Sequence, residues 1–392
     1  MSAPRRRLAI SAYGCCCALG SSRDEIVNGL ARGTTRLAPP DTVTVPFPTH
    51  VGTVRAELPE LPSELSPWST RLARMAARLV ADIEPQLRRA RSRWPADRIA
   101  VILGTSTAGA ATTEAAFAAF VRTGVLPDVY DFRRQHTFGA PLHVVATLAG
   151  AAGPRMMMST ACTSSAKPFA SAMRLIEAGA IDAAIVGGVD TLCAMTLQGF
   201  RSLGALDREP SRPFAAERNG ISIGEGGALA LVEREAEPRA WLEGVGESSD
   251  AYHVSAPHPE GLGARLAMER ALAAAGQDPS AVDHINAHGT GTRLNDAAEG
   301  HAIAQLFGPD VPVASTKGYA GHLLGGAGAA EVVFSIMALE EQWAPASAGA
   351  APIDPNMTIN VLTQQTRGRF RRVLSNGFAF GGNNVSIVVA AP

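Results

Sequence analysis

Cys162 stands in the stretch 158–165 (MSTACTSS), between a strand-like run at 155–158 and a helical pattern with apolar positions at Phe169, Met173, Leu175 and Ile176. That setting is a strand-to-helix elbow at or near a helix N-terminus. Unpaired N–H groups and the positive end of the helix dipole there favour a thiolate over a thiol. A free thiol ionises only near pH ~8.5, so such a site is one way to make a nucleophile at neutral pH. The alternative is a buried core cysteine, and Cys15, Cys16, Cys17 and Cys193 read that way.

His288 lies in 285–292 (INAHGTGT), delivered by a strand at 282–287 to a loop with two glycines. A histidine at the end of a buried strand suits a catalytic or hydrogen-bonded role. His284 and His288 are four apart, a spacing that serves metal ligation on a helix. On a strand the two rings need not converge, and Asp283 points away from His284, so no metal site is expected. His322 lies in 315–328 (STKGYAGHLLGGAG), whose glycines match neither a P-loop nor a dinucleotide fingerprint and suit close helix packing. From the residues alone, His322 is equally well a structural or a catalytic histidine. Lys317 is expected in the interior, where it needs a partner, and Glu331 on the next helix is the candidate. The stretch 377–384 (GFAFGGNN), with Phe378 and Phe380, reads as a tight turn between strands at 371–375 and 385–389.

These groups need a scaffold. Continuous apolar runs at 98–104 (RIAVILG), 181–187, 228–232 and 385–389 suit strands buried on both faces. Helical patterns at 163–178, 263–275, 296–306 and 328–340 lie between them, so the chain is α/β in layers. A polar, proline-containing stretch at 235–239 divides it into 1–239, with the nucleophile, and 240–392, with both histidines. At 69–85 Leu72, Met75, Ala76, Leu79, Val80 and Ile83 form one apolar stripe of a helix. Arg71, Arg74 and Arg78 fall beside it, as either a solvated face or a basic patch for an acidic partner.

Lys+Arg 35 against Asp+Glu 36 gives a net charge of -1 over 392 residues, which carries no nucleic-acid footprint. Five clustered cysteines are too few for a disulfide framework and fit a reduced, cytoplasmic setting. The abundance of glycine and alanine, with 5% aromatics, suits tightly packed layers. Arg5, Arg6 and Arg7 before an apolar stretch resemble the start of a signal peptide. The preferred reading is a buried strand at 8–12 turning at Tyr13 and Gly14. No segment reaches the roughly 18 apolar residues that span a bilayer.

Four motifs, TACTSS at 160–165, NAHGT at 286–290, STK at 315–317 with GHLLG at 321–325, and FGG at 380–382, resemble in order and spacing the β-ketoacyl-acyl-carrier-protein synthases of the elongating I/II type. SRPF at 211–214 and ERNG at 217–220 also fit, and the resemblance covers nearly the whole chain. SSDAYH at 248–253 and FAFGGNN at 378–384 look more like the branch of aryl-polyene pathways. The resemblance implies a thiolase fold, a duplicated five-layer αβαβα sandwich, acting as a dimer. It implies that Cys162 accepts an acyl group from an acyl carrier protein. His288 and His322 would then promote decarboxylation of malonyl-carrier protein through neutral Nε2–H donors. The N–H groups of Cys162 and Phe380 would form the oxyanion hole. Lys317 and Glu331 would hold His322 and its loop, and Phe380 would gate a pocket shaped by Thr107 and Phe138.

No metal and no cofactor is implied beyond the carrier's phosphopantetheine arm. An acidic carrier would dock on Arg71, Arg74, Arg78, Arg133, Arg134 and Arg212. Three residues depart from the family pattern: Ala379 replaces a glycine and could stiffen the gate, Ala320 replaces a threonine, and Asn383 replaces another. A thiolase would need a second cysteine near the C-terminus, yet none follows Cys193, and the Cys-His-Asn synthases lack a histidine at 322. A chain length factor would lack the nucleophile. The chain therefore reads as an active subunit, either a homodimer or the partner of an inactive chain-length-factor-like chain.

Overall fold

Leu8–Cys16 (β1) is a nine-residue run of small and apolar side chains, almost all buried. The computed structural model describes residues 7–392, so Arg5 and Arg6 lie outside the described residues. Gly14 is not the turn its type suggested. β1 runs through it because a side chain there would meet Asp82 at 2.8 Å, on the helix Arg71–Arg93 (α1) that crosses the strand. That helix also outlasts Pro85, which removes one hydrogen bond without ending it. The apolar stripe continues through Leu87 and Ala90, and burying them holds the last turns.

Ten further strands complete the main sheet. They are Ile99–Gly104 (β2), Arg155–Met158 (β3), Ala183–Asp190 (β4), Gly226–Glu233 (β5), Ala240–Ser249 (β6), His284–Asn286 (β7), Pro312–Ala314 (β8), Asn360–Val361 (β9), Arg372–Ala379 (β10) and Asn383–Ala390 (β11). Their spatial order is β9-β8-β7-β10-β11-β6-β1-β5-β4-β2-β3. The order β3-β2-β4-β5-β1 in one half repeats as β8-β7-β10-β11-β6 in the other. The strand senses repeat as well: the last two strands of each half pair antiparallel, and the inner ones parallel. The two first strands, β1 and β6, pair antiparallel through Leu8–Leu242, Ala9–Trp241 and Ile10–Ala240 and join the halves.

The helices make the remaining layers. α1 and Gly139–Ala149 (α2) cover the outer face of the first half. Lys167–Glu177 (α3) packs on β2, β4 and β6. Leu262–Ala275 (α4) and Arg293–Phe307 (α5) cover the outer face of the second half. Ala327–Glu341 (α6), buried over 13 of its residues, touches strands of both halves and with α3 forms the middle layer. The architecture is the five-layer α/β sandwich. Among the described residues no helix is long and apolar enough to cross a membrane.

The small residues are where layers touch. β6 lies so close on α4 that a Cβ at Gly246 would stand 2.0 Å from the Ala267 carbonyl, and one at Gly244 2.3 Å from that of Ala271. Packed cores resist such insertions. Gly246→Ala is expected to lower stability by roughly 1–3 kcal/mol, read as a lower urea midpoint at unchanged slope. Gly199→Ala, on a helix with nothing within 4 Å of the new methyl, should raise the midpoint slightly by its helix propensity.

Candidate active site

Cys162 sits in a one-turn 3₁₀ segment, Ala161–Thr163, between β3 and α3. Ala161 adopts φ +52°, a conformation non-glycine residues seldom take, and this turns the chain sharply at the nucleophile. The hydroxyls of the motif hold that turn. Ser164 Oγ accepts from the Thr160 amide at 2.9 Å and donates to the Ala161 carbonyl at 2.6 Å, while Thr163 Oγ1 donates to the Thr160 carbonyl at 2.8 Å. Ser165 binds the next layer through its amide to Gly325 O (2.9 Å) and through Oγ, which accepts from Ala329 N (2.9 Å). The residue types at 163–165 thus serve the elbow's geometry rather than its reactivity.

The structure brings Cys162, His288 and His322 together. The thiol and a ring nitrogen of each histidine lie within 4.8 Å of one another, all buried. The imidazole rings stand 5.4 Å apart at 86°. His284 is not part of this group: its Nδ1 faces Pro312 O at 3.0 Å and its ring packs against Phe370. Both ring tautomers follow from the neighbours. The Leu324 amide donates to His322 Nδ1 at 3.1 Å, so the proton sits on Nε2, which has no partner among the described residues. The Lys317 ammonium lies 3.2 Å from His288 Nδ1, which fixes the proton of that ring on Nε2 as well. Burial first, then the Lys317 charge, and for His288 also His322, push both imidazoles well below their usual pKa, so both are neutral. Two uncharged N–H donors therefore face one thiol.

Lys317 corrects one expectation. It holds His288, not His322: Nζ donates to the His288 carbonyl at 2.6 Å and pairs with Glu331 beside it. His322 is instead placed by its own backbone, with its amide on Ser222 O (2.8 Å) and its carbonyl accepting from Gly224 N (2.9 Å). The expected thiolate is corrected too. The regular helix begins only at Lys167, and burial pushes the Cys162 thiol up to about 11, with the Lys317 charge and the Phe380 amide working against that rise. The resting group is a thiol, and the amides of Phe380 and Cys162 both act on its sulfur.

Two carboxylates escaped the sequence reading. Glu299 accepts from the amides of His288 (2.8 Å) and Gly289 (2.7 Å) and from Asn376 Nδ2 (3.2 Å). Burial pushes it up to about 7, against the amides that hold it down. Asp296 accepts from the amides of Thr290 (2.9 Å), Gly291 (3.2 Å) and Phe214 (2.8 Å) beside Arg218. Their one signal in the sequence is a three-residue spacing that puts both acids on one face of α5.

The gate region is a hairpin turn at 380–382 between β10 and β11, with Gly381 and Gly382 at φ +80° and +72°. Both strands run further toward the turn than the sequence indicated. Ala379 remains in strand register opposite Asn383, so its methyl needs no special backbone. The Phe380 ring lies 5.8 Å from Phe200. A cavity of about 480 Å³ leads from Cys162, His288 and His322 past Phe380, Thr290 and Thr292 to Leu203 and Leu294 at its rim. Thr107 and Phe138 do not line it: Thr107 is tied through its amide (2.9 Å) and hydroxyl (2.7 Å) to the buried Asp190, and Phe138 is exposed.

The arginine stripe is also largely committed. Arg71 reaches the buried Glu225 and the Val54 carbonyl (2.8 Å). Arg74 binds the carbonyls of Leu58 (2.6 Å) and Pro59 (3.0 Å) with Glu60, and Arg78 binds Asp82 (3.0 Å) and Ser21 O (3.1 Å). Arg212 donates to Glu217 O at 2.9 Å and Arg134 pairs with Asp131, while Arg133 is exposed.

Residues 5–237 match the family model described as beta-ketoacyl synthase, N-terminal domain, and residues 239–351 its C-terminal domain. Nodulation protein E of Rhizobium meliloti is 32% identical across 97% of this chain and 98% of its own. The mitochondrial 3-oxoacyl-[acyl-carrier-protein] synthase of Arabidopsis thaliana is 37% identical over 62% of this chain, a match spanning 57% of that protein's length. Among solved structures, a chain of the Xenorhabdus doucetiae complex of ketosynthase ApeO with its chain length factor ApeC superposes with a TM-score of 0.93, at 40% identity and full coverage of both chains. A beta-ketoacyl synthase from Burkholderia phymatum gives a TM-score of 0.90 at 27% identity, covering 99% of this chain and 100% of the other.

Because Cys162 rests as a thiol pushed up to about 11, its alkylation by iodoacetamide should quicken about tenfold per pH unit from 7 to 9 without a plateau. A plateau below pH 8 would contradict the resting thiol. Glu299→Gln cannot accept from both loop amides, and should lower turnover about tenfold or more and stability by about 1–3 kcal/mol. Steady-state kinetics and a urea titration check both.

Proposed function

The chain belongs to the beta-ketoacyl synthase family, and on that premise we propose that it catalyses decarboxylative Claisen condensation of an acyl group held on Cys162 with a malonyl thioester on acyl carrier protein. The observation that carries the proposal is the buried meeting of one thiol with two neutral Nε2–H donors whose tautomers the protein fixes.

In the first half-reaction Cys162 gives up its proton and attacks the acyl thioester carbonyl. The oxyanion is held by the amides of Cys162 and Phe380, the carrier thiol leaves with a proton, and a thioester remains on Cys162. In the second, the malonyl group loses CO₂, and the bonding electrons pass to the thioester oxygen as an enolate. His288 and His322 donate to that oxygen through Nε2–H, the role their lowered basicity suits, since a neutral imidazole stabilises the oxygen without a competing acid. The enolate carbon attacks the acyl-Cys162 carbonyl, the C–S bond breaks to leave a thiolate, and a proton taken up from solvent restores the thiol. Lys317 keeps His288 oriented throughout. No metal or organic cofactor enters these steps, only the carrier's phosphopantetheine arm.

The active unit is proposed to be a dimer. β3 is an edge strand of the sheet, and Phe117, Phe120, Val121, Val125, Val129, Phe132 and Phe138 are exposed along the 117–138 stretch. An open sheet edge and an exposed apolar stretch each suit a second subunit. That subunit would cover Phe138 and complete the acyl pocket near Thr107. The full-length likeness to a ketosynthase solved with its chain length factor favours an inactive relative of this chain as that second subunit, in a specialised polyene branch. Arg133, exposed on the same stretch, remains a docking candidate for an acidic carrier. Arg71, Arg74 and Arg78 are each paired with a carboxylate, Glu225, Glu60 and Asp82, and are weaker candidates for that role. The setting is cytoplasmic.

Wild type incubated with acyl-carrier protein should gain the acyl mass on Cys162 by intact-mass spectrometry, and Cys162→Ala should not. His288→Ala and His322→Ala should still load acyl groups, yet lower condensation with malonyl-carrier protein by about 100-fold or more. No adduct from any chain length, with or without a chain length factor, would sink the proposal.

A further inference from the structure

The cavity that ends on Cys162 is poor in charge. Among its lining residues Arg293 is the sole arginine or lysine and Asp250 the sole carboxylate. Asp250 is occupied: Oδ1 accepts from Asn384 Nδ2 at 2.8 Å and Oδ2 from the His258 amide at 3.4 Å. Arg293 is exposed, its carbonyl is held by Arg218 Nη2 at 3.4 Å, and among the described residues its guanidinium has no ion pair or hydrogen-bond partner. Arg71, Arg74, Arg78, Arg91, Arg98 and Arg218, by contrast, each reach a carboxylate or carbonyl. Arg293 opens α5 beside Leu294, which is 65% exposed, whereas Cys162 at the other end of the same cavity is 9% exposed.

A thioester delivered to Cys162 rides on an arm with three chemical zones. The sulfur must reach the floor, the two amides lie midway, and the phosphodiester stays at the protein surface. The cavity has the same order. Thiol and imidazoles lie at the floor, and the hydroxyls of Thr290 and Thr292, 2.9 Å apart, stand in the passage. The lone cation is at the rim. A guanidinium is planar, permanently charged and suited to two parallel bonds to phosphate oxygens.

We propose that Arg293 binds the phosphate of the phosphopantetheine arm and sets how far the thioester reaches toward Cys162. The inference rests on the ketosynthase reading and deepens it. Arg293 acts as a recognition residue, remote from the reacting atoms.

The test compares Cys162 loading, followed by intact mass, from one acyl group on two small probes: acyl-phosphopantetheine and acyl-pantetheine, which lacks the phosphate. In Arg293→Ala, kcat/KM for the phosphorylated probe should fall about five- to twenty-fold. The loss should sit in KM, and the unphosphorylated probe should change less than twofold. Arg293→Lys should recover part of the loss, as a point charge without the fork. Equal losses on both probes would mean that Arg293 merely shapes the mouth, and would overturn the proposal. So would a loss seen only with full carrier protein, which would place the guanidinium against the carrier's own acidic side chains. If wild type loads from neither probe nor from acyl-carrier protein, the function proposed above fails, and this inference with it.

Discussion

A single buried ammonium holds the site together. Lys317 is 2% exposed, and an isolated charge so placed would cost several kcal/mol. It stays because Glu331 neutralises it and because the His288 carbonyl and Nδ1 accept its remaining protons. That bonding sets the direction of the His288 ring, its tautomer and, with burial, its lack of charge. The same charge depresses His322 and opposes the rise of the Cys162 pKa. One group thus keeps both imidazoles as donors and eases ionisation of the thiol between them. Glu331 lies on the central helix α6, so the packing between the two halves reaches the chemistry through this pair.

The duplicated sheet explains why the reacting groups come from distant stretches of sequence. Each half ends its strands toward the centre, one half supplying the elbow after β3 and the other the loops after β7 and β8. The central helices lie close because glycine and alanine line their contacts. At Gly326 a Cβ would stand 2.4 Å from the Gly226 carbonyl, and at Gly328 2.7 Å from Ala166. The placement of a thiol among two imidazoles depends on this close approach, which larger side chains would prevent.

Much of this was legible in the residues, and the misses share a cause. Cys162, His288 and His322 stand in short stretches whose local chemistry, glycine loops and hydroxyl-rich elbow, is itself the signal. The layered α/β organisation followed from apolar runs alternating with helical stripes. What could not be read was pairing across the fold. Lys317 was assigned to His322, five residues on, whereas it binds His288, 29 residues back on a neighbouring strand's loop. Arg71 looked like a free surface charge because its partner, Glu225, lies 154 positions away. Asp190 gave no signal, yet it gathers Thr105, Ser106, Thr107 and the Gly325 amide at one buried carboxylate. Gly14 and Pro85 misled for the opposite reason. Their intrinsic preference for turns and breaks was outweighed by the helix packed on one and the apolar surface buried by the other.

The edge position of β3 has a consequence for how such a chain evolves. The strand at the open margin of the sheet runs, within four residues of its end at Met158, into the nucleophile. A second subunit that added a strand to that margin, as proposed above, would also brace the elbow, whether or not it carried working chemistry of its own. A gene duplicate could therefore lose its sulfur and histidines and still be retained, because its remaining task, supporting its neighbour's reactive turn, asks only for shape. Division of labour between a working copy and a silent one is open to this architecture from the start.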